Sequence, residues 1–149
     1  MTLDQLVLGL SDELDLPELQ LNASGACQLL TEDGVAITIE DAPQENAAHL
    51  YATVGRMPEV GREALMATLL EAQLFNRELG EGCAFGYDPE SDEIILCRRL
   101  SLGRIELDEF STAVSELINW AGHWTEKIAD GGASVTTNPG NEMQHFIRA

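Results

Sequence analysis

The chain has 149 residues, 44% of them hydrophobic, and its 26 acidic and 8 basic residues give a formal net charge of −18. A chain of this length normally folds as one domain. Its charge repels phosphate backbones and anionic lipids, so neither nucleic acid nor a membrane is an expected partner. Two interpretations of the acid excess remain open: it keeps the protein soluble, or it attracts basic or aggregation-prone partners.

Apolar periodicity predicts the elements of the first half. Residues 3–14 carry an apolar stripe at spacings of three and four, which predicts a helix with Thr2 as its N-cap and an end before Pro17. Three short strands are expected next, joined by an Asp33-Gly34 turn and a polar loop. These strands cover 26–31, 35–40 and 49–54, and the loop covers 41–47.

The second half predicts two helices around a strand pair. A helix is expected over 62–78, ended by Gly80 and Gly82. Its apolar arc is wider than one core contact needs, so it is either buried on two sides of one core or also covers a partner subunit. A hairpin and a long helix follow it, with strands over 84–87 and 93–100 and the helix over 107–129.

The order α-β-β-β-α-β-β-α, with tight turns between strands, predicts an α+β sandwich. In it a largely antiparallel twisted sheet packs against helices. Residues 1–130 are expected to form this domain. Residues 131–149, rich in Gly, Asn and Thr, are expected to form a flexible C-terminal tail.

The sequence contains no recognisable catalytic, phosphate-binding or metal-binding motif. His123 has no positioned nucleophile near it and is expected to be structural or at the surface. Cys27, Cys83 and Cys97 are odd in number and widely spaced, which predicts neither a disulfide framework nor a zinc site and fits a reducing cytoplasm. We therefore expect no enzymatic activity, catalytic residue, metal or cofactor.

The features that remain are apolar surface and strand edges, both of which commonly bind protein. Arg98 and Arg99 are expected on opposite faces of one strand. Either these side chains pair with acids at the sheet surface, or one of them contacts a partner.

Several motifs resemble one known family, the type III secretion class I chaperones (the Tir chaperone, or CesT, family). Residues 69–75, Leu-Leu-Glu-Ala-Gln-Leu-Phe, are similar to the family's "LLEANL" helix. The hairpin Phe85-Gly86-Tyr87-Asp88-Pro89 with Ile94-Ile95-Leu96-Cys97-Arg98-Arg99-Leu100 resembles its strand pair. The opening helix with Leu16-Pro17-Glu18-Leu19, and Leu107-Asp108-Glu109-Phe110 with Trp124 in the last helix, extend the likeness over about residues 3–129.

The resemblance implies a homodimer formed largely through the second helix. It implies that the N-terminal segment of an effector protein wraps round this dimer as a non-globular chain, which keeps the effector soluble and secretion-competent in the bacterial cytoplasm. The secretion ATPase is a further candidate partner. An alternative on the same fold is a regulatory module that sequesters a secretion or transcription regulator.

Site residues follow from the same resemblance. The effector-binding residues are expected on the first helix and the strands, and each could instead simply fill the core: Leu3, Leu6, Val7, Leu10, Leu29, Ile37 and Ile39. The dimer contact is expected on the second helix, at Leu65, Leu69, Ala72 and Phe75.

Overall fold

The computed structural model describes residues 1–131. Three helices and five strands follow one another in the predicted order. The helices are α1 (Leu3–Leu14), α2 (Arg62–Gln73) and α3 (Leu107–Ala129). The strands are β1 (Ala26–Leu30), β2 (Ala36–Ala42), β3 (Ala47–Arg56), β4 (Cys83–Asp88) and β5 (Glu93–Ser101).

The first helix begins and ends where the sequence indicates. The Thr2 hydroxyl accepts a hydrogen bond from the Gln5 amide at 3.3 Å, and the Gln5 side chain accepts one from the Thr2 amide at 2.9 Å. This reciprocal capping box satisfies two amides at the helix start. At the other end Asp15 adopts a left-handed conformation, which turns the chain before Pro17.

The five strands form one antiparallel sheet in the order β1-β2-β3-β5-β4. Because side chains alternate across a strand, one face of the sheet carries a continuous apolar set and the other does not. Cys27, Ile39 and Leu50 share one row of the apolar face, and all three are buried.

Helices α1 and α3 cover this apolar face. Trp124 of α3 packs edge-on against Phe85 of β4, with ring centroids 5.0 Å apart. Two glycines allow close approach. A methyl group at Gly55 would lie 2.6 Å from Cγ2 of Ile128, and one at Gly9 would lie 2.8 Å from the Leu107 side chain.

Two predictions, the loop over 41–47 and the end of the second helix, differ from the structure. Strands β2 and β3 both extend into the expected loop over 41–47, which leaves only a short 3-10 turn, Pro43–Glu45, between them. Helix α2 ends at Gln73 rather than at residue 78, because Phe75 and Asn76 adopt left-handed conformations that an α-helix cannot hold. The glycines expected to end it lie several residues further on. Of the predicted tail, residues 132–149 lie outside the described part of the chain.

Candidate partner-binding surfaces

All seven residues expected to bind an effector fill the core of the single chain. None of these side chains is more than 3% exposed. A partner could reach them only if a helix moved away from the sheet. The residues are Leu3, Leu6, Val7, Leu10, Leu29, Ile37 and Ile39. Their part in effector binding stays a prediction.

Two apolar side chains that do reach solvent lie next to members of this buried set in the sequence. Leu8 of α1 and Leu30 of β1 are both exposed, Leu30 by 64%. Each belongs to the opposite side of its element from the buried set. They could have been identified in the sequence as apolar residues on the side of a helix or strand that the periodicity assigns to solvent.

Strand β1 is one edge of the sheet, so half of its main-chain groups face away from β2. The Asp41 amide donates to the Gly25 carbonyl at 2.8 Å, and the Thr31 amide donates to the Val35 carbonyl at 2.9 Å. Because bonded positions alternate along an antiparallel pair, the outward groups are those of Ala26, Gln28 and Leu30. The sheet has a strand edge open to addition at this side.

Asn22 closes one end of that edge. Its amide donates to the Ala26 carbonyl at 2.8 Å, and its side-chain oxygen accepts from the Ala26 amide at 3.1 Å. The outward amide and carbonyl groups of Gln28 and Leu30 have no neighbouring strand among residues 1–131. These four groups are free to bind an added strand.

The second apolar surface lies on α2 and the turn after it. Leu65, Leu69 and Ala72, expected at a dimer contact, are buried in their own chain. Phe75, the fourth expected residue, is 84% exposed. Leu70 of α2 is also exposed, by 68%. We call the exposed set the α2 stripe; it consists of Met66, Leu70, Leu74 and Phe75.

The turn after α2 holds Phe75 outside the core. Its backbone has φ 53° and ψ 27°, a left-handed conformation that costs about 1–2 kcal/mol for a residue with a side chain. The Asn76 amide group fixes the turn by donating to the Gly80 carbonyl at 2.8 Å. The Phe85 amide donates to the Gln73 side chain at 2.6 Å, which attaches α2 to the outer edge of β4.

Both arginines of β5 pair with acids. Arg98 contacts Glu116 of α3 at 2.8 Å, and Arg99, exposed on the opposite face, contacts Glu45 at 3.0 Å. The Arg99 guanidinium holds the pKa of the Glu45 carboxyl below its ordinary value, mainly by donating this hydrogen bond. The ion-pair interpretation thus describes both residues.

Polar side chains form a small cluster inside the fold. His123 packs edge-on between Trp120 and Trp124, and its Nε2 lies 3.7 Å from the Glu78 carboxylate. Lys127 contacts the same carboxylate at 2.8 Å. This cluster attaches the turn after α2 to α3, since His123 and Lys127 both belong to that helix.

The three cysteines are free thiols. Burial raises the pKa of Cys27 and that of Cys83 to about 11. Within residues 1–131 no group of three or more His, Cys, Asp or Glu side chains could hold a metal ion. No helix of the same residues has the length and apolarity needed to cross a membrane.

Solved structures identify the fold. A chain of the ExsC–ExsE complex matches with a TM-score of 0.67 at 20% identity, over 83% of this chain and 91% of that one. A chain of the HopA1–SchA chaperone–effector complex matches with a TM-score of 0.67 at 18% identity, over 82% of this chain and 91% of that one. The Yersinia pestis type III secretion chaperone SycH in complex with a stable fragment of YscM2 matches with a TM-score of 0.64 at 17% identity, over 83% of this chain and 99% of that one.

At these identities the likeness establishes the fold, which is that of chains in type III secretion chaperone complexes. No curated protein sequence shows significant similarity to the chain. The chain belongs to the Tir chaperone protein (CesT) family, whose model matches residues 5–125. The resemblance drawn from the helix and hairpin motifs is confirmed.

Proposed function

We propose that the protein is a cytoplasmic type III secretion chaperone. It binds the N-terminal segment of one or more effector proteins as a non-globular chain and keeps them soluble and secretion-competent. The observation that carries this proposal is the family match over residues 5–125, nearly the whole of the described fold. The structural relative HopA1–SchA, itself a chaperone–effector complex, supports it.

The free edge of β1 supplies a means of holding an extended chain. Main-chain hydrogen bonds from Gln28 and Leu30 bind a strand largely irrespective of its sequence, and an adjacent apolar side chain adds selectivity. Leu30 is that side chain. Backbone groups and exposed leucines hold a chain without reacting with it, which fits a binding protein rather than an enzyme.

The α2 stripe supports a homodimer. Four exposed apolar side chains on one helix and its turn form the kind of patch that soluble proteins usually cover. Pairing of two copies by a two-fold axis would cover both stripes and present two β1 edges. One effector segment engaging both edges gains affinity through effective concentration.

The test is capture of partners by the tagged full-length chain from the bacterium that encodes it, with masses measured for the intact complex. We expect two copies of the chain with one secreted protein, held by that protein's N-terminal segment. In hydrogen exchange the Gln28 and Leu30 amides should become protected on binding.

The matched variants are Leu30→Asp and Glu90→Lys. Leu30→Asp should lose capture while remaining folded, because residue 30 is exposed. Glu90→Lys, on the distant β4–β5 turn, should capture normally. A dimer that holds a cytosolic regulator instead of a secreted protein would favour the regulatory alternative, and a monomer that holds nothing would refute the proposal.

A further inference from the structure

The free edge of β1 carries no charge of its own but has acids at both ends. Ala26, Gln28 and Leu30 are uncharged. Glu32 and Asp33 are exposed in the turn that follows this edge. At the opposite end of β1, two further acids occupy neighbouring positions of β2: Glu40, which pairs with Ala26, and Asp41.

These acids have no counter-ion in the described part of the chain. Within residues 1–131 none of Glu32, Asp33, Glu40 and Asp41 forms an ion pair with Lys, Arg or His. Glu40 accepts a hydrogen bond from the neutral Tyr51 hydroxyl at 3.0 Å. The surrounding segment offers no compensation, because residues 1–55 contain no Lys or Arg. Uncompensated charge of one sign at a binding surface selects a partner of the opposite sign.

We propose that the β1 edge selects a short strand whose centre is apolar and which carries a basic residue at each end. This inference rests on the proposed function, since it names the chemistry of the effector segment that adds to β1. The open length from Gln28 to Leu30 spans roughly 10 Å at 3.3 Å per residue. The acids flank this length at the register of residue 26 and at residue 32, so the basic residues of the partner lie about six positions apart.

The same charges disfavour a second copy of this chain at the edge. Pairing two β1 edges would bring Glu32 and Asp33 of each copy close to acids of the other, and like charges in opposed positions are destabilising. The dimer contact is therefore expected elsewhere, on the α2 stripe.

The test uses the full-length protein and two synthetic peptides with the same apolar core of valines. One peptide is flanked on both sides by lysines and the other by glutamates. Affinities are measured by calorimetry at low and high NaCl. We expect the lysine-flanked peptide to bind at least tenfold more tightly at low salt, and the difference to shrink as salt screens the charges.

Two pairs of variants separate charge from strand addition. Glu32→Lys with Glu40→Lys should reduce the lysine preference by about two- to fivefold per reversed charge, whereas Glu90→Lys should leave it unchanged. Gln28→Pro removes one outward amide, at an edge position where proline is tolerated, and should abolish binding of both peptides. Gln28→Ala keeps the amide and should bind normally.

Each further outcome has one meaning. Equal affinity for both peptides, with binding still lost in Gln28→Pro, would overturn the charge proposal and leave strand addition standing. Lysine-flanked binding that survives Gln28→Pro would mean that the acids attract cations without an added strand, which also overturns the proposal. If neither peptide binds while authentic effector capture persists without protection of the Gln28 amide, binding at the β1 edge itself is wrong.

Discussion

At Gly55 a single missing methyl group sets how closely α3 approaches the sheet. Gly55→Ala would place that group 2.6 Å from Cγ2 of Ile128, and this atom lies too near the helix backbone to swing away. Overpacking of this kind typically costs about 1–3 kcal/mol. Urea unfolding should show this loss. Gly86→Ala is the control, since nothing lies within 4 Å of the added group, and equal stability of the two variants would contradict the packing described.

The buried thiols of Cys27 and Cys83 should be unreactive in the folded protein. Only the thiolate reacts with disulfide reagents. Because burial raises the pKa of both thiols to about 11, they stay protonated at pH 8. Reaction with a chromogenic disulfide should be slow at pH 8 and complete for all three cysteines in denaturant. Rapid reaction of Cys27 or Cys83 in the native protein would show that the strands open.

Val7 and Leu8 are adjacent in the sequence, but a charge introduced at each position should affect the stability of the fold differently. Val7 is fully buried, so Val7→Asp places an unpaired carboxylate in the core and should cost about 4 kcal/mol or more. Leu8→Asp changes an exposed side chain and should alter stability by no more than about 0.5 kcal/mol. Thermal unfolding measures both. A folded Val7→Asp protein that lost only its partner would instead support Val7 as a binding residue.

At the scale of elements, α2 has two apolar sides, one buried and one exposed. One packs on the chain's own core through Leu65, Leu69 and Ala72. The other is the α2 stripe, which the turn at Phe75 extends beyond the end of the helix. The wide apolar arc read from the sequence therefore has a structural counterpart, an inner and an outer side.

Leu69 and Leu70 test this division. Leu70→Asp should leave the chain folded and convert dimer to monomer, because an exposed charge would be buried only in the dimer. Leu69→Asp should unfold the chain by placing a charge in the core. Light scattering gives the mass, and circular dichroism gives the fold. If the Leu70→Asp protein stayed dimeric, the contact between copies would lie outside the α2 stripe.

For the whole molecule, the distribution of charge follows the topology. The segment without Lys or Arg forms α1, β1, β2 and most of β3, so the sheet edge open to addition lies in the acidic half. The basic residues fall in the other half, where Arg98 and Arg99 pair with acids. A basic chain that adds to β1, as proposed, would meet an acidic surface, and its association should slow as salt increases.

Local patterns were sufficient for the order and type of the elements. The bounds of α1 and α3 and the antiparallel sheet were predictable, because apolar periodicity, the Thr2 cap and the turns between strands depend on residues close together in the sequence. The family was predicted from the resemblance of the helix and hairpin motifs. The end of α2 was not, since the left-handed turn at Phe75 depends on Asn76 and Gln73 contacting strand residues further along the chain.

The tertiary structure alone decided which apolar residues reach solvent. Alternation shows that Leu29 and Leu30 face opposite ways, but not which face a helix covers. That choice depends on contacts between residues far apart in sequence, such as Phe85 with Trp124. For this reason the sequence determined the fold and the family of this protein, while the folded chain placed the predicted binding residues in the core and the free surface at the edge of β1 and on the α2 stripe.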